Sequence, residues 1–245
     1  MDYFTWDTRG SKKAMSGGER KEFPFSWISF DCYGTLIDWE EGLLEALKPL
    51  LKRSSVETEP LEVLRFYAEL ESHFERTYRP YREVLRLVLR GLAEKLGFEL
   101  HPAEEYLLAE ALPGWRPFPE VNETLRSLRD RGLKLAIISN IDRDLIAETL
   151  KHFTVSFDLV VTAEEARSYK PDLRIFALML EKIPVPKEQI LHVGQSLFHD
   201  ILPAGKLGLA SCWVKRPGRD PYGATPRAEA RPDFVISDLS ELLAF

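Results

Sequence analysis

Four places in this chain of 245 residues collect side chains that can do chemistry, and each follows a short apolar run. Asp31 and Thr35 follow the run Phe25 to Phe30. Ser139 and Asn140 close the run that begins at Leu133. Lys170 comes after the run Phe157 to Thr162, immediately before Pro171. Gln195, Ser196 and Asp200 follow Ile190 to Val193. Each has an ordinary explanation alone: an aspartate in a turn, a lysine on a solvated loop. Together they are two acids, one lysine and several small polar groups. In an open parallel sheet the ligand crevice lies at the carboxyl ends of the strands. Four such groups, each closing a different strand, describe a catalytic rim.

The elements that must position this rim can be read from hydrophobic period. Phe25 to Phe30 is a strand-length apolar run bounded by turn residues, as a buried central strand is. From Glu40 to about Leu112 the apolar residues recur at helical spacing, through Leu43, Leu47 and Leu50, then Leu61, Leu64 and Tyr67, then Val84, Val88 and Leu92. Pro60, Pro80 and Pro102 punctuate this block and Gly97 marks a helix end. At roughly 70 residues it is too long for one crossover connection. After Pro113-Gly114, strands and helices alternate. Strands are expected at 133–139, 157–162, 190–193, 211–215 and 234–237, with helices at 142–153, 171–181 and 200–207, the second opened by Pro171. That alternation implies a parallel sheet covered on both faces. The expected fold is an α/β core with a Rossmann-like parallel sheet, residues 23–38 and 114–245, interrupted after its first strand by an all-helical cap, residues 39–113.

Composition narrows the partners. The formal net charge is −6, which argues against nucleic acid or an anionic membrane surface as the main partner. No apolar run approaches a membrane span. The two cysteines, Cys32 and Cys212, sit in apolar runs; they form no disulfide framework and suit a reducing, cytoplasmic setting. Residues 1–22 are polar, with Ser16-Gly17-Gly18 and no apolar secretory core, and read as a disordered tail. A homodimer is compatible with all of this.

The stretch Asp31-Cys-Tyr-Gly-Thr35, followed by Ser139-Asn140, Lys170-Pro171 and Val193-Gly-Gln-Ser-Leu-Phe-His-Asp200, resembles the haloacid dehalogenase superfamily of hydrolases. With Leu36-Ile37-Asp38 after it, the first motif is most similar to the type II 2-haloacid dehalogenases. The resemblance implies a set of roles. Asp31 is the nucleophile and forms an ester with substrate. Lys170 balances the charge on Asp31 and on a substrate carboxylate, as a compact point charge can. Asp200 orients Lys170 and helps activate water. Thr35 and Ser139 donate hydroxyl hydrogen bonds, and Asn140 offers its amide to a leaving halide. Gly34 permits a sharp turn at positive φ. Superfamily phosphatases carry a second aspartate two residues after the nucleophile, to protonate a poor alkoxide leaving group. Here that residue is Tyr33, which suffices when a halide departs as a stable anion.

Gln195 points the same way, since the phosphatases use an aspartate there for magnesium and an amide is a poorer ligand. No cofactor is therefore expected, with Asp31 and Asp200 left as weak magnesium ligands. Other positions depart from the dehalogenase pattern: the loop reads Gly194-Gln195-Ser196 with the phosphatase spacing to Asp200, and Phe176 stands where that group has a tyrosine. Arg65 is the nearest candidate for its halide-binding cap arginine, and Tyr81 for an aromatic wall of the halide pocket. His199 is expected to have no chemical role. The function implied is hydrolysis of small 2-haloalkanoic acids. The alternatives are a phosphatase acting on a small metabolite, or a binding protein on the same scaffold.

Overall fold

The computed structural model describes residues 4–6, 12–14, 24–219 and 225–245. In chain order the strands are β1 (Phe4–Trp6), β2 (Lys12–Ala14), β3 (Trp27–Phe30), β4 (Lys134–Ser139), β5 (Leu159–Thr162), β6 (Ile190–Gly194), β7 (Ala210–Val214) and β8 (Phe234–Ile236). The helices are α1 (Trp39–Arg53), α2 (Pro60–Phe74), α3 (Tyr81–Leu96), α4 (Leu107–Ala111), α5 (Val121–Asp130), α6 (Arg143–Thr149), α7 (Ala163–Ala166), α8 (Leu173–Lys182) and α9 (Leu202–Leu207). β1 and β2 pair antiparallel, apart from the main sheet. They lie in the segment expected to be a structureless tail; the rest of residues 1–23 falls outside the described residues.

The main sheet has six strands in the order β5-β4-β3-β6-β7-β8, all pairs parallel. β3 is central and every residue in it is buried, which is why its sequence is a continuous apolar run rather than an alternation. Its register sets Phe30 beside Ile137 of β4 and Val193 of β6. Asp31, Ser139-Asn140 and Gln195 therefore emerge together at one edge of the sheet. The chain reverses order between β3's two neighbours, the switch point where open α/β sheets hold ligands.

Helices α1 to α4 follow β3 and form the helical insertion. Each buries a stripe: Leu43, Leu47 and Leu50 on α1; Val63, Leu64 and Tyr67 on α2; Val84, Leu85, Val88 and Leu92 on α3. Glycine at position 91 allows α2 and α3 to approach, since a Cβ there would meet the Leu70 side chain at 2.7 Å. Asp142, at the start of α6, accepts hydrogen bonds from the backbone N–H groups of Tyr81 and Arg82 at 2.7 and 2.9 Å. An acid of the core thus caps a helix of the insertion, supplying acceptors for two amides that the helix cannot satisfy itself.

Some boundaries differ from expectation for local reasons. α8 starts at Leu173, not Pro171, because the Asp172 side chain accepts from Arg174 N and caps the helix there. The expected helix 200–207 splits into a π-helical turn, Leu197–Ile201, and α9. α5 was not anticipated; Glu120 before it makes no capping side-chain bond, so the start signal is missing. Among the described residues no helix is long and apolar enough to cross a membrane.

Candidate active site

Asp31 follows the last residue of β3, and its backbone N–H continues the sheet by donating to Val193 O at 2.9 Å. That bond fixes the direction in which its carboxyl leaves the sheet edge. Both carboxyl oxygens are engaged: Lys170 Nζ donates to Oδ1 at 2.8 Å and Thr35 Oγ1 donates to Oδ2 at 2.7 Å. Thr35 is itself fixed, accepting from Gln195 N at 2.9 Å. Gly34, at φ +100, makes the intervening turn.

Lys170 is buried and bridges two acids, with its second contact to Asp200 Oδ1 at 2.7 Å. Its main chain is held by Asn140, whose Oδ1 accepts from Lys170 N at 2.6 Å and whose Nδ2 donates to Lys170 O at 3.2 Å. Asp200 also lies 3.4 Å from His192 Nε2 and accepts from Ser196 N at 3.2 Å. The other nitrogen of His192 is 2.9 Å from Ser29 Oγ. Position 194 must be glycine for Asp200 to reach this place: a Cβ there would sit 2.5 Å from Asp200 Cβ and Cγ.

Three charged groups in one buried space divide their protons unequally. Burial would lower the Lys170 ammonium, but Asp200 and Asp31 outweigh it and hold it above its ordinary value. Burial would raise Asp200, but Lys170 and the His192 contact hold it well below the usual carboxylate range. Asp31 goes the other way. Burial and the Asp200 charge raise it despite the attraction of Lys170. Asp200 thus holds its charge more firmly and fixes Lys170, and Asp31 is the more basic of the two carboxyls.

These groups open onto a cavity of about 70 Å³ walled by Asp31, Tyr33, Trp39, Tyr67, Glu71, Glu75, Tyr81, Trp115, Asn140, Lys170, Gln195, Ser196, His199, Asp200 and Thr225. At about 10–15 Å³ per water on this measure, it holds about five to seven heavy atoms, the size of a very small metabolite. The Tyr33 hydroxyl is not bonded to Asp31; it pairs with Thr149 Oγ1 at 2.8 Å. Ser196 Oγ accepts from His199 N at 3.0 Å and so caps the turn that carries Asp200. Burial lowers the His199 imidazole to about 4, so it is neutral near pH 7. Ser139 is buried, its Oγ has no partner among the described residues, and it is not part of the cavity wall.

The insertion contributes differently from expectation. Tyr81 lines the cavity, but Arg65 does not: it lies on the exposed face of α2. Residues 67, 71 and 75 share the inward face, and position 65 is two residues from Tyr67, about 200° around the helix. The charged groups that α2 turns inward are therefore acids, Glu71 and Glu75. Glu71 Oε1 accepts from Tyr81 OH at 2.6 Å and from Tyr67 OH at 3.0 Å. Glu75 has both oxygens 3.4 Å from Asn140 Nδ2. Burial raises both carboxyls, and the charge of Glu71 pushes Glu75 up further. Sequence reading overlooked this pair, although two acids at a spacing of four, in line with the apolar Tyr67, were a signal of a functional helix face. Among the described residues no three His, Cys, Asp or Glu side chains converge as a metal site.

A buried carboxylate held by a lysine and a threonine at the switch point of a parallel sheet, beneath a helical insertion, is the arrangement of a hydrolase site. The model of the haloacid dehalogenase-like hydrolase family matches residues 28–214, and the chain belongs to that family. It is similar to (S)-2-haloacid dehalogenase H-109 of Pseudomonas putida, 29% identical over 229 residues, covering 88% of this chain and 97% of that one. It is likewise similar to haloacetate dehalogenase H-2 of Moraxella sp. (strain B), 30% identical over 217 residues, 85% of this chain and 92% of the relative. Among solved structures, the L-2-haloacid dehalogenase of Xanthobacter autotrophicus with chloropropionic acid covalently bound superposes with a TM-score of 0.75 at 22% identity, over 89% of this chain and 96% of that one. At that identity the likeness is one of fold.

Proposed function

We propose that this enzyme cleaves the carbon–halogen bond of small 2-haloalkanoic acids through an ester on Asp31, releasing halide and a 2-hydroxy acid. The observation that carries this reading is the pairing of Asp31 with Tyr33. Asp31 is preorganised as a nucleophile, yet the group two residues on is a phenol bonded to Thr149. A site without an acid there suits a leaving group that needs no proton. In the first step one Asp31 oxygen attacks C2 and the halide leaves with the bonding electrons. Lys170 supplies the fixed positive charge near the reacting carboxylates, so the reaction needs no metal. Asn140, on the cavity wall, does not offer a free amide to the departing halide as expected: its Nδ2 donates to Lys170 O and to Glu75, and it holds the Lys170 segment in place. The small cavity fits an acid of two or three carbons. The two cysteines are free and buried, in keeping with a reducing cytoplasmic setting.

The test is turnover of chloroacetate and of each 2-chloropropionate enantiomer in heavy-oxygen water, followed by mass spectrometry of the digested protein. Label should enter the peptide holding Asp31, because water attacks the ester carbonyl and leaves its oxygen there. Asp31→Asn should release no halide while melting as a folded protein. An unlabelled peptide from an enzyme that is turning over would sink the covalent route.

A further inference from the structure

The second half of the proposed reaction needs a base, and the cavity offers few. Ester hydrolysis requires that water lose a proton as it attacks the Asp31 carbonyl carbon. Asp200 is poorly suited: Lys170, His192 and Ser196 N surround its oxygens and its basicity is depressed. His199 is too weak a base, at about 4. Tyr33 is committed to Thr149. Glu75 spreads both oxygens over the Asn140 amide. Glu71 differs from all of these. Two tyrosine hydroxyls meet at its Oε1 and fix the carboxyl plane, while its Oε2 makes no hydrogen bond among the described residues. It lines the same small cavity as Asp31, and burial makes it more basic than an ordinary glutamate.

We propose that Glu71, carried by the helical insertion and aligned by Tyr67 and Tyr81, is the general base that activates water against the Asp31 ester. This rests on the dehalogenase reading above. Water forms a bond to Asp31 Cγ and gives its proton to Glu71 Oε2. The tetrahedral intermediate then collapses. The bond from Cγ to the substrate oxygen breaks, its electron pair goes to that oxygen, and the alkoxide takes the proton back from Glu71. The new Asp31 carboxyl carries the water's second hydrogen and loses it to solvent, so that Asp31 and Glu71 both return to carboxylates, one proton is released per turnover, and the 2-hydroxy acid leaves. Tyr67 and Tyr81 act through Glu71 and are positioning residues.

The experiment separates the two half-reactions. Full-length Glu71→Gln is mixed with excess 2-chloropropionate, and halide release and intact protein mass are followed over time. The expected result is a burst of about one halide per active site and a protein heavier by the ester. Steady turnover should then be slower by about 10²–10⁴-fold, the usual contribution of a general base. Tyr81→Phe should keep the burst and slow the steady phase by a smaller factor, about tenfold, and raise the pH at which the steady rate falls off in acid, because Glu71 loses a donor that favours its ionised form. Steady turnover of Glu71→Gln at the wild-type rate overturns the inference, and so does loss of the burst itself, which would mark Glu71 as a substrate-binding or structural group. If Glu71→Gln fails to fold, Tyr81→Phe decides: an unchanged steady rate and pH profile overturn the inference. A wild-type enzyme that releases no halide from any 2-haloacid overturns the dehalogenase reading, and with it the step in which Glu71 acts; that outcome is read on the unmodified protein.

Discussion

Replacing Lys170 with methionine tests the electrostatic account of the site most directly. The ammonium is 2% exposed and lies 2.8 Å from Asp31 and 2.7 Å from Asp200. Methionine keeps much of the volume and removes the charge, so two buried carboxylates are left facing each other. Removing one partner of a buried ion pair costs about 3–5 kcal/mol. At about 2–4 °C per kcal/mol for a chain of this size, the melting temperature should fall by about 6–20 °C near pH 8. The sign of the pH dependence follows from linkage. Without Lys170 both carboxyls acquire folded-state values above their unfolded ones, so the folded variant binds protons more tightly than the unfolded chain. Its stability is greatest below the unfolded carboxyl values and is lost as pH rises through the folded ones. The deficit against wild type should therefore shrink at pH 5 and widen at pH 8, read by thermal unfolding at both. Adding Asp200→Asn should restore part of the loss by removing one orphaned charge, without restoring turnover. A drop under about 2 °C at both pH values, or the same deficit at each, would falsify the view that Lys170 holds two ionised carboxylates.

Further expectations can be checked independently. The rise of Asp31 predicts that kcat/KM falls in acid with an apparent value above that of a free aspartate, because the protonated carboxyl cannot attack; a pH profile ending at the ordinary aspartate value would contradict it. Glu75 is raised by burial and by Glu71, so the wild type loses stability as pH climbs from the unfolded value through the folded one. Glu75→Gln, which cannot ionise, should melt higher than wild type at pH 8 and nearly level with it at pH 4.5. Gly194→Ala forces a methyl to within 2.5 Å of the Asp200 side chain; overpacking of about 1–3 kcal/mol should lower the melting temperature by about 2–12 °C and cut turnover at least tenfold. Chelator-treated enzyme should keep full halide release, since Lys170 provides the positive charge; a strict magnesium requirement would favour the phosphatase chemistry instead.

What the sequence determined by itself was the frame and the sheet-borne half of the site. Buried parallel strands are continuous apolar runs, so β3, β4 and β6 were visible in the chain, and the polar residue closing each run had to emerge at one edge. Asp31, Thr35, Asn140, Lys170, Gln195 and Asp200 could be singled out because their positions depend on strand ends, which are local features. The insertion's half was not legible in the same way. Which face of α2 turns toward Asp31 is set by packing against α3 and by the Asp142 carboxylate that anchors Tyr81 and Arg82, contacts between residues far apart in the chain. That choice sends Arg65 outward and brings Glu71 and Glu75 in. Likewise only the fold brings Ser29, His192 and Asp200 into one line of hydrogen bonds, and only the placement of Lys170 and His192 against Asp200, in a space whose burial raises Asp31, makes one aspartate more acidic than usual and the other more basic. Residue type and spacing name the groups that can react; the three-dimensional packing decides which of them face each other, how dry their surroundings are, and hence which one holds the proton.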